Sequence, residues 1–239
     1  MNIFILTGAG ISAESGISTF RDENGLWNEY NIEEVSSIDG FNKNPNLVID
    51  FHNTLQTDMN LKEPNEAHYA ITELMNDDRY SVTLVTQNID NLHEKAGSEC
   101  IHMHGNINEI LCLHCGEISL SNVNITNDTI CPECMMNAVR PNVVWFGEIP
   151  YSLEYINEKL IECDIFIAIG TSGVVQPAAG FVRKAKKKRA WTINVDIKKS
   201  FNWDFKEKIV GSASTEVKKL IDKIKFNEYD DVIKERKNT

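Results

Sequence analysis

The sequence predicts an α/β protein: a parallel sheet covered by helices on both faces, joined to a small helical and zinc-binding domain. Three observations predict it. Short, near-continuous apolar runs such as Ile3-Phe4-Ile5-Leu6 and Ile165-Phe166-Ile167-Ala168-Ile169 alternate with helical patterns, the habit of strands buried on both faces. Several runs end in glycine or polar clusters: Gly8-Ala9-Gly10, Gln87-Asn88-Ile89-Asp90, Gly170-Thr171-Ser172 and Asn194-Val195-Asp196. In open α/β sheets ligands bind beyond the carboxyl ends of strands, so these clusters are expected to converge on one crevice. Finally, two matched cysteine pairs interrupt the α/β pattern.

The elements follow in order. Residues 2–7 read as a buried strand that runs into a glycine turn. Asn44 and Pro45 are an N-cap and a first helical residue, and Val48, Phe51, Leu55 and Met59 form the apolar stripe of the helix they start. A second helix is expected from Asn65, with Ala67, Ile71, Leu74 and Met75 inward. Residues 81–86 are a β-branched strand, and a short strand is expected near residues 142–146. Residues 164–169 form another buried strand. A helix after Pro177 precedes a strand at 190–195, and an amphipathic helix near 215–224 precedes a charged tail, read as surface or unstructured. Residues 40–63, helical without a strand, and 107–140, loop-rich and cysteine-bearing, read as insertions. The expected division is a larger domain of residues 1–40, 64–106 and 142–226, a smaller one of 41–63 and 107–141, and a tail of 227–239.

Composition narrows the function. The 239 residues are 42% hydrophobic and 25% charged, which is ordinary globular usage. No apolar run is long enough to span a membrane, and the start of the chain lacks a basic leader, so a soluble cytoplasmic protein is expected. A net charge of −11 repels nucleic acid and anionic membranes at long range and suits basic partners. The run at residues 183–189 is basic, but at a helix end such cations favour the dipole and solvent.

The cysteine spacing is the most specific signal. Cys112-x2-Cys115 and Cys131-x2-Cys134 stand fifteen residues apart, a zinc-knuckle spacing whose four thiolates leave no open position, hence a structural ion. Cys100 and Cys163 read as core residues. Gly8-Ala9-Gly10-Ile11-Ser12-Ala13 follows a strand and fits the Rossmann-like pattern G-x-G-x-x-G/A, in which glycines let the backbone approach a pyrophosphate. No second strand ending in an acidic residue follows about 20 residues later, so a hydride-transferring dehydrogenase fits poorly. In Ile101-His102-Met103-His104-Gly105, His104 is the candidate general base. His102 reads as structural, and His93 as a helix-surface or interdomain residue.

With GAGISAESGISTFR, TQNIDNLH, HMHG, the four-cysteine module, VVWFGE, GTS and NVD in this order, the chain resembles the sirtuins, NAD-dependent protein-lysine deacylases, over residues 1 to about 224. It is most similar to the bacterial desuccinylase-type branch. The resemblance implies that Gly8, Ala9, Gly10, Ile11 and Ser12 cradle the NAD phosphates, with Thr19, Phe20, Arg21 and Trp27 on a cofactor loop beside them. It implies that Gln87, Asn88, Ile89 and Asp90 hold the ribose and nicotinamide. Gly170, Thr171, Ser172, Asn194, Val195, Asp196 and Ala213 would line the adenosine half. His104 would be the base, and Cys112, Cys115, Cys131 and Cys134 the ligands of one structural zinc. The substrate backbone would lie between Val144, Phe146, Gly147 and Glu148 on one side and Gly173 and Val174 on the other.

The implied reaction releases nicotinamide, free lysine and O-acyl-ADP-ribose from acyl-lysine protein or peptide substrates, by a monomer. Two alternatives are ADP-ribosyl transfer or NAD hydrolysis in the same pocket, and a non-catalytic zinc-ribbon module. The chain departs from its branch at one motif. Desuccinylase-type sirtuins carry Tyr-x-x-Arg for a distal carboxylate, whereas His52 and Leu55 stand there here. With Ala13 leaving the pocket wide, acetyl and longer neutral acyl groups are the expected substrates.

Overall fold

The computed structural model describes residues 1–18, 30–121, 123–171, 176–231 and 233. Strand β1 (Asn2–Thr7) has five of its six residues buried, which requires a place in the middle of a covered sheet. A turn at Gly8 leads to α1 (Ala9–Ser12) and a 3-10 turn over Ala13–Ser15. Beyond Tyr30 come α2 (Ile32–Val35), α3 (Ile38–Lys43) and α4 (Pro45–Asn60). The Asn44 side chain accepts the Leu47 N–H and Pro45 opens α4, as the sequence predicts. Asn65 likewise caps α5 (Glu66–Met75) through Ala67 N–H.

The chain continues through β2 (Ser81–Thr86), α6 (Leu92–Lys95), β3 (Ile101–His102), β4 (Gly105–Cys112), β5 (Ile118–Leu120) and β6 (Val139–Val143). It ends with α7 (Leu153–Glu162), β7 (Ile165–Ile169), α8 (Phe181–Lys187), β8 (Trp191–Asp196), β9 (Glu207–Val210) and α9 (Ala213–Lys225). Six strands form a parallel sheet in the order β3-β2-β1-β7-β8-β9. Successive crossovers leave β1 in opposite directions, so the switch point, where such sheets bind ligands, lies between β1 and β7.

The two-residue period of the strands divides the core. Ile3 and Ile5 pack with Ile71 and Leu74 of α5 and Val217, Leu220 and Ile221 of α9. Phe4 and Leu6 point to the other face and pack with Ile156 and Leu160 of α7 and Phe181 and Val182 of α8. A third cluster joins α4 (Val48, Phe51, Leu55, Met59) to Val143 and Trp145. A fourth holds Ile49, Ile110, Cys112 and Cys131 together. Among the described residues, no helix is long and apolar enough to cross a membrane.

Two sequence expectations need correction, and two strand features were not foreseen. Residues 107–140 are loop-rich as expected, but they also carry a second sheet that was not foreseen, in which β4 pairs antiparallel with both β5 and β6. The strand expected near 142–146 sits earlier, at Val139–Val143, because Val143 is the last residue paired with β4, while Phe146 makes only an isolated bridge to Ser37. β9, a half-buried edge strand beside β8, has no apolar run to announce it. The tail is not wholly solvated: Tyr229 and Ile233, four apart and so on one helical face, are buried in the first core cluster.

Candidate active site

The carboxyl ends of β1, β2, β7 and β8 are tied together by their own backbones. Gly8 N–H donates to Ile169 O at 3.0 Å, Gly10 N–H to Gly170 O at 2.9 Å, Gly170 N–H to Val195 O at 2.9 Å and Gln87 N–H to Thr7 O at 2.9 Å. This close approach explains the glycines. A Cβ on Gly10 would lie 2.6 Å from Gly170 Cα, and one on Gly170, at φ +59°, would lie 2.4 Å from Ile11 N. Gly8, Ala9, Gly10, Ile11, Gln87, Gly170 and Thr171 are therefore brought to one place, the switch point of the sheet.

A buried polar network lines this crevice. The Ser12 hydroxyl donates to Asp90 Oδ2 at 3.0 Å and accepts from Asn88 Nδ2 at 3.1 Å, and Asn88 Nδ2 also reaches Gly8 O at 3.3 Å. Gln87 Nε2 donates to Thr171 Oγ1 at 3.0 Å. Burial raises the Asp90 carboxyl above the usual carboxylate range, partly offset by Leu92 N–H and the Ser12 hydroxyl. Ile89 is only partly buried and packs on the α4 cluster. On the far side, Asn194 and Val195 are buried within β8. Asp196, at the end of β8, accepts Lys198 N–H, and Ala213 opens α9. The Glu14 carboxylate accepts Ser214 N–H at 2.8 Å and so ties the glycine turn to that helix.

His104 lies just past β3. Its Nδ1–H donates to Gln87 O at 2.9 Å, so the neutral ring carries its lone pair on Nε2, and no described residue bonds to that nitrogen. Burial lowers its pKa, with the Gln87 carbonyl acting in the opposite sense. The ring is thus a neutral base with a fixed tautomer at the edge of the crevice. Val144 N–H donates to the His104 carbonyl at 2.8 Å, placing the segment 144–148 beside it. Phe146 is exposed, Gly147 has φ +93°, and Glu148 accepts from Arg140 Nη2 at 2.7 Å and Trp145 N–H at 2.8 Å.

On α4, His52 and Leu55 are both buried. His52 Nδ1–H donates to Val48 O at 2.8 Å, and Nε2 accepts from Trp145 Nε1–H at 3.3 Å. Burial pushes its pKa down to about 4, so His52 is neutral with neither nitrogen free. Leu55 packs among Phe51, Ile107 and Val143. Ala13 is exposed in the 3-10 turn. Thr19, Phe20, Arg21, Trp27, Ser172, Gly173 and Val174 lie outside the described residues.

The four knuckle cysteines converge. Cys112 and Cys134 sulfurs are 3.6 Å apart, Cys115 and Cys131 sulfurs 3.8 Å, and all four lie within 4.8 Å of one another. Tetrahedral zinc with Zn–S near 2.3 Å requires sulfurs about 3.8 Å apart, so the donor set fits the ion. Turn hydrogen bonds from Gly116 N–H to Cys112 O and Met135 N–H to Cys131 O shape the two knuckles. His114 is exposed and outside the cluster.

Sequence reasoning missed one part of this region. His93 was expected on a surface or between domains, yet it is 2% exposed and its Nε2 hydrogen-bonds Thr7 Oγ1 at 3.0 Å, beside buried His68. No local pattern announced it, because its partner Thr7 lies 86 residues away.

The comparisons with known proteins agree with this geometry. Residues 8–177 match the Sir2 family. The chain belongs to the Sir2 family. It is 49% identical over 228 residues to an NAD-dependent protein deacylase of Bdellovibrio bacteriovorus, covering 92% of this chain and 95% of that one. It is 44% identical over 230 residues to the NAD-dependent protein deacylase SIR2rp3 of Leishmania major, covering 93% and 95%. Among solved structures, a Sir2 homolog–NAD complex superposes with a TM-score of 0.86 at 33% identity, covering 95% of this chain and 90% of that one. A Sir2 complex with a deacetylated p53 peptide and 3'-O-acetyl ADP ribose has a TM-score of 0.77 at 27% identity, covering 92% of each.

Proposed function

We infer that this Sir2-family chain is an NAD-dependent protein-lysine deacylase with a structural zinc. One observation carries the reading: His104, neutral and fixed through Gln87 O, stands beside a glycine-walled crevice at the switch point of the sheet. NAD supplies an anomeric carbon that the acyl oxygen can attack as nicotinamide leaves. The chain does the rest. Gly8, Ala9 and Gly10 let the backbone approach the phosphates. Asn88, Asp90 and Gln87 hold the ribose and the nicotinamide amide, and Gly170, Thr171, Asn194 and Ala213 border the adenosine half. His104 Nε2 would accept the proton of a ribose hydroxyl and so make that oxygen a nucleophile toward the acyl carbon. Residues 144–148 take the substrate backbone as an added strand. Cys112, Cys115, Cys131 and Cys134 hold the zinc that orders the second sheet, so that the crevice has two walls. In this reading residues 1–40, 64–106 and 142–226 form the nucleotide-binding domain, and 41–63 and 107–141 the smaller one.

The α4 packing supports a neutral acyl group. His52 has no free nitrogen and Leu55 has no donor, so the helix offers a carboxylate no fork. The test is to incubate the protein with NAD and a panel of acyl-lysine peptides and to identify products by mass. Nicotinamide, free lysine and O-acyl-ADP-ribose are expected. Free ADP-ribose alone, or an ADP-ribosylated protein, would replace deacylation with hydrolysis or transfer.

A further inference from the structure

Outside the crevice, three side chains of different chemistry meet at the edge of the sheet. β3 is the terminal strand, and His102 is its last residue. Glu94 comes from α6, and Cys100 immediately precedes β3. The Glu94 Oε1 atom accepts from Cys100 Sγ–H at 3.0 Å and from His102 Nε2–H at 2.9 Å. The other ring nitrogen of His102 donates to Asn88 O at 3.1 Å. The three potential ligand atoms lie within 4.8 Å of one another. Cys100 and His102 are half-buried while the Glu94 side chain is 39% exposed, so the cluster has walls on one side and water on the other.

We propose that Glu94, Cys100 and His102 form a second metal site, which takes Zn2+ through one carboxylate oxygen, one thiolate and one imidazole nitrogen, with water as the fourth ligand. The donor set selects the ion: a thiolate and an imidazole disfavour Mg2+ and Ca2+, and one oxygen, one sulfur and one nitrogen suit a borderline divalent cation. Two of the three ligand separations are close to what zinc requires. Bond lengths of about 2.3 Å to sulfur and about 2.0 Å to nitrogen or oxygen place sulfur and oxygen about 3.5 Å apart, and nitrogen and oxygen about 3.3 Å apart. The hydrogen-bonded atoms stand at 3.0 and 2.9 Å, so they need to spread by about half an ångström. The exposed end of Glu94 can make that movement.

Binding exchanges protons for the ion. The Cys100 thiol and the His102 Nε2 each release one proton to water, three bonds to zinc form, and nothing is oxidised or reduced. The Nδ1–H contact to Asn88 O fixes the ring so that Nε2 is the ligating nitrogen, the usual service of a backbone carbonyl to a metal-bound histidine. An ion pair between Glu94 and His102 needs no third partner, yet Cys100 converges on the same carboxylate oxygen. The site differs from the four-cysteine centre in holding a single thiolate and an open position.

The test uses the full chain with one zinc already in the four-cysteine site, and it needs no NAD, so it stands apart from the deacylase reading. The protein is titrated with Co2+ and, separately, with Zn2+ against a chromophoric chelator. Elemental analysis then verifies that the first zinc is still present. One further equivalent is expected, with tetrahedral cobalt bands and a thiolate-to-cobalt charge-transfer band. Cys100→Ser should abolish the charge-transfer band and weaken binding at least tenfold. Glu94→Gln should weaken binding comparably but keep the band. The proposal is overturned if no second equivalent binds, or if the band survives in Cys100→Ser. Should Cys100→Ser not fold, Glu94→Gln decides: unchanged affinity overturns the site.

Discussion

Replacing Gly170 by alanine tests whether the nucleotide crevice depends on the contact between the β1 and β7 ends. At φ +59° the new Cβ would stand 2.4 Å from Ile11 N and 2.5 Å from Gly10 C, where ordinary contact begins at 3.4 Å. The two backbones must therefore separate by about 1 Å, which takes the 2.9 Å bond from Gly10 N–H to Gly170 O out of range and strains the 3.0 Å bond from Gly8 N–H to Ile169 O. Each lost bond costs about 1 kcal/mol net, and the left-handed conformation costs a side chain about 1–2 kcal/mol. With one bond lost and the other weakened the total is about 2–4 kcal/mol, which corresponds to a fall in melting temperature of about 4–16 °C for a chain of this length. NAD affinity should fall at least about tenfold, since each 1.4 kcal/mol of misplaced contact is a factor of ten. Gly16→Ala is the control. Gly16 also has a positive φ, +85°, but its nearest neighbour is Lys62 Cδ at 3.8 Å, so only the conformational cost of about 1–2 kcal/mol applies. Calorimetry of both variants, with and without NAD, separates the cases. If Gly170→Ala binds NAD normally and melts no lower than Gly16→Ala, the crevice does not depend on this contact.

Four further outcomes are expected. His104→Ala should cut deacylation at least about 10²-fold while leaving NAD affinity nearly intact, and the wild-type rate should fall on acidification through a pKa below 6.5, because burial depresses that ring. Metal analysis should find zinc in the four-cysteine site, and Cys112→Ser should lower the melting temperature and abolish activity together; full activity after complete metal removal would exclude the structural role. His52 binds its proton less readily folded, at about 4, than unfolded, at 6.5, so stability is whole above pH 6.5 and declines by up to about 3 kcal/mol as pH falls to 4; a denaturant series should show that decline flattened in His52→Gln. Deacetylation should exceed desuccinylation, and Leu55→Arg with His52→Tyr should raise desuccinylation; succinyl-lysine as the best substrate of the unmodified chain would contradict the acyl assignment.

What could be read in the sequence follows from how local each signal is. β1 and β7 are written in continuous apolar runs, β2 in a β-branched one, and α4 and α5 in their asparagine caps, so composition and capping suffice. The cysteine centre is legible because two tight knuckles at a fixed separation leave few other uses for four thiols. The pairing of β4 with β6 joins residues as distant as Gly105 and Val143, and short or half-buried segments such as Ile118–Leu120 and Glu207–Val210 carry no period strong enough to show their pairing. The crevice was visible as strand-end clusters, yet the bond from Ser12 to Asp90 spans 78 residues and no local pattern foretells it. The anchoring of Tyr229 and Ile233 was hidden by the charged residues around them.

The two histidines of the β3 segment show how neighbours rather than sequence position assign chemistry. His102 and His104 each donate Nδ1–H to a carbonyl of the same loop, Asn88 O and Gln87 O. Both rings are partly buried, and burial alone lowers the pKa of either. What separates them is the second nitrogen. Glu94 meets Nε2 of His102 at 2.9 Å, and its hydrogen bond and charge overcome burial and raise that pKa. No carboxylate among the described residues stands beside Nε2 of His104, so burial prevails and the ring stays neutral. A cation cannot accept a proton from a ribose hydroxyl, and a neutral ring with a free lone pair can. Being two residues apart with a backbone bend between them is enough to give one ring the environment of an ion pair and the other that of a base.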